Sequence, residues 1–196
     1  MIELEPPLRR ATPADAAALA ELVDIAGDGL PVYLWTRMAQ AGETPWDVGQ
    51  ARARRKEGGF SYRNAVILEH EGGIAACLIG YPLADQPAPI DHDATPAMFV
   101  PLEELERLAP GSWYVNVLAT YEGFRGRGYG ARLLAVAEQL AAAAGKAKLS
   151  VIVSDANPGA RRLYERCGYR LVAERPMVED GWKTAGTRWL LLVKPI

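Results

Sequence analysis

Two periods of apolar and polar positions alternate along this chain. Trp113-Tyr114-Val115-Asn116-Val117-Leu118-Ala119-Thr120 is a nearly continuous apolar run and predicts a buried strand. Downstream, Leu133, Leu134, Ala137, Leu140, Ala141 and Ala144 recur at helical spacing, and Gly145 follows as a C-terminal stop. Between strand and helix lies Arg125-Gly126-Arg127-Gly128-Tyr129-Gly130. The chain is organised around this strand, loop and helix.

The same patterning places the other elements. Leu8 to Ala11 reads as a short strand. Thr12-Pro13-Ala14-Asp15 is a helix start with Thr at the N-cap, Pro next and an acid at the third position, and that helix turns Leu19, Leu22 and Val23 inward until about Gly27. Leu30 to Ala39 predicts a further helix with Leu34, Trp35 and Met38 on one face. Thr44-Pro45-Trp46-Asp47 repeats the start signal and opens a helix to about Glu57. Asn64–His70 and Ile74–Leu83 predict a hairpin turning at Glu71-Gly72-Gly73. Ala84 to Thr95, rich in Pro and Asp, is a loop, and Leu102–Leu108 is a short helix. Lys148–Val153 is a buried strand, and Asn157-Pro158 starts a helix with Ala160, Leu163, Tyr164 and Cys167 on one face before Gly168. Tyr169–Glu174 and Thr187–Lys194 are expected to pair antiparallel. This mixture predicts an α+β fold with a sheet covered by helices, and one domain over residues 1–196.

Composition narrows the function. A net charge of −2 gives no basic field for nucleic acid. No stretch is long and apolar enough to span a bilayer, and the first thirty residues, interrupted by Asp15, Glu21 and Asp24, lack a signal-peptide layout. Cys77 and Cys167 read as buried thiols suited to a reducing cytoplasm. No Cys or His pair has metal-ligand spacing, so no metal is expected.

The loop carries the chemistry. The first turn of a helix has N–H groups without partners at the positive end of the helix dipole. Glycines admit close approach and positive φ, and Arg125 and Arg127 add full charge. Together they suit a phosphate or pyrophosphate.

Arg125-x-x-Gly128-x-Gly130 resembles motif A of the GNAT superfamily of acyl-CoA-dependent N-acyltransferases, whose pattern is Arg/Gln-x-x-Gly-x-Gly/Ala. Asn157-x-x-Ala-Arg-x-Leu-Tyr-x-x-x-Gly-Tyr resembles motif B, with Ala160, Arg161, Leu163, Tyr164, Gly168 and Tyr169 in the matching places. The resemblance spans Leu8 to the end and is specific from Trp113 to Tyr169. It implies a GNAT-like, mixed, mostly antiparallel central sheet flanked by helices, with strands splayed at the acyl-CoA site. It also implies acetyl-CoA or another acyl-CoA as co-substrate and an amine, small or peptidic, as acceptor, and it leaves a homodimer open.

By the same resemblance, main-chain groups of Leu118, Ala119 and Thr120 pair with the pantetheine arm. Arg125, Gly126, Arg127, Gly128, Tyr129, Gly130 and Ala131 hold the pyrophosphate, and motif B adds Asn157 and Ala160 to the cofactor side. Asn157 either bonds the pantetheine amides or simply caps its helix. Tyr164 is the expected general acid: a phenol with a pKa near ~10 stays protonated at neutral pH and can donate to the departing thiolate.

No general base stands out. Asn116, Glu122, Asp91, His92 and Asp93 are candidates, although an amide such as Asn116 is not a base, and His70 and His92 read as surface residues. Asp28, Tyr33, Trp35, Glu43 and Trp46 lie where the family shapes its acceptor pocket; a plain core or dimer contact is the equal alternative.

Two rival functions remain. Gly126-x-Gly128-x-x-Ala131 satisfies the dinucleotide fingerprint of an oxidoreductase, but its glycines sit several residues past the strand end and the chain stops soon after the next unit. A non-catalytic acyl-CoA-binding regulatory module is the other.

Overall fold

The computed structural model describes residues 2–196. The chain divides into two compact units, one of residues 82–115 and 136–196, the other of residues 2–81 and 116–135.

In the unit that holds the N-terminal half, strand β1 (Leu8–Arg10) pairs antiparallel with β2 (Ala65–His70), and β2 with β3 (Gly73–Pro82). β2 is buried on both faces: Val66 and Leu68 are as inaccessible as Ile67, which is why it reads as a continuous apolar run. The hairpin turns on Glu71 and Gly72, at φ 51° and 81°. Positive φ at both central positions matches the primed two-residue turn that fits strand twist.

Three helices pack here: α1 (Ala16–Ala26), α2 (Leu30–Met38) and α3 (Pro45–Ala53). The first start signal builds a single 3-10 turn, Pro13–Asp15, ahead of α1. The Asp15 carboxylate accepts the Thr12 N–H at 2.7 Å and a forked pair from Arg9 at 2.8 Å each. The second signal caps α3 fully, with Thr44 Oγ1 accepting from Asp47 N and Asp47 accepting from Thr44 N. Leu19 and Leu22 are buried as expected.

Two expectations need correction. α3 stops at Ala53 instead of about Glu57: Arg54 closes its last turn, and the chain from there to Gly58, at φ 85°, is irregular. On α2, Trp35 points inward while Met38 is 46% exposed. The inward position is fixed by a stack of Trp35 on Phe60, with centroids 6.0 Å apart, and by the bare face of Gly49 on α3.

Strand β4 (Trp113–Thr120) matches its expected bounds and is shared between the units, Trp113–Val115 in one and Asn116–Thr120 in the other. Its Trp113–Val115 segment pairs in parallel with Leu149–Val151 of β5 (Lys148–Ser154). β5 then pairs antiparallel with β7 (Arg188–Pro195), and β7 with β6 (Arg170–Pro176). The strand order is β1-β2-β3-β4-β5-β7-β6, a mixed and mostly antiparallel seven-stranded sheet. Helix α4 (Val100–Arg107) begins two residues earlier than expected and buries Leu105 beside Leu191. Helices α5 (Tyr129–Ala143) and α6 (Pro158–Arg166) complete the flanks. α5 buries Leu133, Leu134, Ala137 and Ala141, whereas Ala144 is exposed past its end and Gly145 turns the chain at φ 68°.

Candidate functional site

The glycine loop is built from the end of β4 downward. Val117 and Ala119 turn into the core of their unit, leaving Asn116, Leu118 and Thr120 half-buried on the alternate face. The Tyr121 N–H bonds Ala75 O of β3 at 3.0 Å, and its hydroxyl donates to Glu21 of α1 at 2.6 Å. Burial and this carboxylate push the Tyr121 phenol well above its ordinary value. A 3-10 turn, Glu122–Phe124, follows. Arg125 then folds back to Thr120, Nε donating to the carbonyl at 3.4 Å.

Gly126 and Gly128 sit at φ 77° and 81°, and a Cβ at either would meet nothing within 4 Å. Their freedom therefore serves the backbone path and leaves open space beside it. The first helical bond of α5 runs from Arg132 N–H to Gly128 O. The amides of Tyr129, Gly130 and Ala131 are thus the donors of the first turn. Around them Arg125 and Arg127 are exposed. First-turn donors beside guanidinium groups are the kind of place that suits an anion.

His70, expected at the surface, belongs to this loop. Its ring meets Tyr129 Oη at 2.8 Å through Nδ1 and Arg127 Nη1 at 3.3 Å through Nε2, and Phe124 packs edge-on at 5.3 Å. The sequence carried no sign of this, because a hairpin, fifty-seven residues before Arg127, delivers the histidine.

In the other unit, α6 carries the second group. The Asn157 Oδ1 accepts from Ala160 N at 3.0 Å, so its carbonyl oxygen caps the helix. Ala160 is half-buried. Tyr164, 5% exposed, is the buried residue of an otherwise polar helix whose Arg161 and Glu165 pair at i,i+4. Its ring lies against Tyr169, with centroids 5.7 Å apart. Burial, with a smaller contribution from Cys167, raises its phenol above the usual value. The shift favours the protonated phenol.

The remaining candidates do not gather. Asp91 accepts from the N–H groups of Asp93 and Ala94 in its own turn, and Asp91, His92, Asp93 and Glu122 are exposed. Of the aromatic and acidic group, Trp35 and Trp46 contact each other edge-on at 6.2 Å; Tyr33 Oη accepts from Arg37, and Glu43 accepts from Gln40 N. Among the described residues no cluster of His, Cys, Asp or Glu is placed to hold a metal ion, and no helix is long and apolar enough to cross a membrane.

The chain thus pairs a strand, glycine loop and helix N-terminus with a mixed α+β fold, and a later helix buries one tyrosine. The sequence profile of the Acetyltransferase (GNAT) family matches residues 32–169. This chain belongs to that family and is an acyl-CoA-dependent N-acyltransferase. Members take acetyl or acyl groups from coenzyme A thioesters and acylate amines.

Solved structures show the same fold at low identity. A crystal structure of an acetyltransferase is 23% identical with a TM-score of 0.65, and the match covers 96% of this chain and 98% of that one. An N-acetyltransferase from Staphylococcus aureus Mu50 is 18% identical with a TM-score of 0.64, covering 95% and 98%. Ard1 from Thermoplasma volcanium is 12% identical with a TM-score of 0.59, covering 96% of both. No curated protein sequence matches the chain significantly.

Proposed function

We propose that this protein transfers an acetyl group from acetyl-CoA to a primary amine by direct attack in a ternary complex. The whole chain acts as one acyltransferase domain, in the cytoplasm, where its two thiols stay reduced. The diphosphate sits on the first-turn amides of Tyr129, Gly130 and Ala131, between Arg125 and Arg127. Gly126 and Gly128 keep the approach open. The main chain of Leu118, Ala119 and Thr120 runs beside the pantetheine arm, as an added strand would. Asn157 keeps its side-chain NH2 for a pantetheine carbonyl while its oxygen caps α6 beside Ala160. Tyr164 gives its proton to the leaving thiolate.

The observation that supports this reading most is the pairing of two positive-φ glycines with first-turn donors that have open space beside them. Tryptophan fluorescence titration with acetyl-CoA and with NAD tests it, followed by thiol release across an amine panel. Saturable acetyl-CoA binding with amine-dependent release is expected. Tight binding of NAD alone would overturn the reading in favour of an oxidoreductase. Acetyl-CoA binding without turnover on any amine would favour a regulatory module.

A further inference from the structure

The imidazole of His70 contacts both Arg127 and Tyr129 of the glycine loop. An arginine can only donate. Where Arg127 Nη1 faces Nε2 at 3.3 Å, Nε2 is the acceptor, and the neutral ring then carries its proton on Nδ1. Nδ1–H donates to Tyr129 Oη at 2.8 Å. The tyrosine hydroxyl, having accepted, still has its own proton to donate at the first residue of α5. Phe124 closes the arrangement, edge-on to the imidazole and beneath the guanidinium, whose carbon lies 5.7 Å from the ring centroid. One imidazole thus orders two donors on either side of Gly128.

We propose that His70 is a positioning residue for the coenzyme: by fixing Arg127 and Tyr129 at the mouth of α5, it pre-organises the donors that receive the diphosphate. The inference rests on the acyl-CoA reading above and adds to it a residue from outside the two motifs. Pre-organisation lowers the cost of ordering a long guanidinium side chain at the moment of binding. It therefore acts on donor affinity and not on the chemical step.

The charged and titratable groups that face the ring are Arg127 and Tyr129 from the loop and helix, and Glu71 from its own hairpin, whose carboxylate lies 3.6 Å from Nε2.

The test compares two acyl donors on the full chain: acetyl-CoA, and S-acetyl-pantetheine, which lacks the nucleotide diphosphate. In His70→Leu the KM and Kd for acetyl-CoA rise about tenfold with kcat held, the loss expected for one or two hydrogen bonds. Turnover of S-acetyl-pantetheine stays at the wild-type level. His70→Gln, whose amide oxygen reaches the Nε2 position and accepts from Arg127, recovers most of the affinity. Unchanged acetyl-CoA affinity in His70→Leu, an equal loss with both donors, or no recovery in His70→Gln overturns the proposal. Should His70→Leu fail to fold, His70→Ala, which also removes both ring contacts, is compared with wild type on the two donors and decides by the same criteria. Failure of wild-type protein to bind acetyl-CoA at all would instead sink the acyl-CoA reading itself.

Discussion

At the scale of single residues, the sharpest expectation concerns Tyr164. Replacing it with Phe keeps the ring against Tyr169 and removes only the hydroxyl. If that hydroxyl donates to the thiolate, kcat falls about 10²-fold while the acetyl-CoA KM stays put. Equal losses in both would mean the ring matters only for packing. Because burial raises the phenol above its ordinary value, the wild-type rate should show no alkaline decline from this group below about pH 10. Asp15 offers a second test, of stability. The Arg9 fork, aided by Thr12, holds its carboxyl below the usual carboxylate range. A depressed pKa contributes stability that is present above the unfolded value near ~3.9 and is lost as pH falls through the folded one. Asp15→Asn should therefore cost about 2 kcal/mol at pH 7 by urea denaturation. Its deficit should shrink below about pH 4; a deficit independent of pH would mean that shape, not charge, is what Asp15 supplies.

Whole elements show which parts of the fold the sequence exposes. β4 was legible to its last residue because both faces are apolar at its start and Tyr121 and Glu122 end the run. The Glu71-Gly72 hairpin was legible from its glycines. α2 was not oriented correctly, because Leu34, Trp35 and Met38 satisfy helical spacing equally well. What selects Trp35 is a partner on another helix: a Cβ on Gly49 would lie 2.5 Å from its Cζ3. Helical propensity alone makes Gly49→Ala favourable by about 1 kcal/mol. The close approach of α3 to the indole reverses the sign, so Gly49→Ala should lower the melting temperature. A rise would show that α3 can shift away at little cost. The place of His70 beside the loop, where the sequence suggests only a surface residue, is hidden for a related reason. Its partners are set by where a hairpin ends, and no local period encodes that.

On the scale of the molecule, the order of chemical events depends on whether any side chain could carry the acyl group. A ping-pong route needs a thiolate. Cys77 is fully buried in its unit, and burial pushes its thiol up to about 12. Cys167, in the other unit, is also raised, again chiefly by burial, against the opposing influence of Lys194 and Arg166. Both shifts disfavour a thiolate, in keeping with the proposed direct attack of the amine on the thioester. Initial rates over a grid of acetyl-CoA and amine concentrations should give intersecting double-reciprocal lines. Protein incubated with acetyl-CoA and no amine should keep its unmodified mass, and Cys77→Ala should retain turnover. Parallel lines together with an acylated cysteine would end the ternary-complex mechanism and return a catalytic role to one of these thiols.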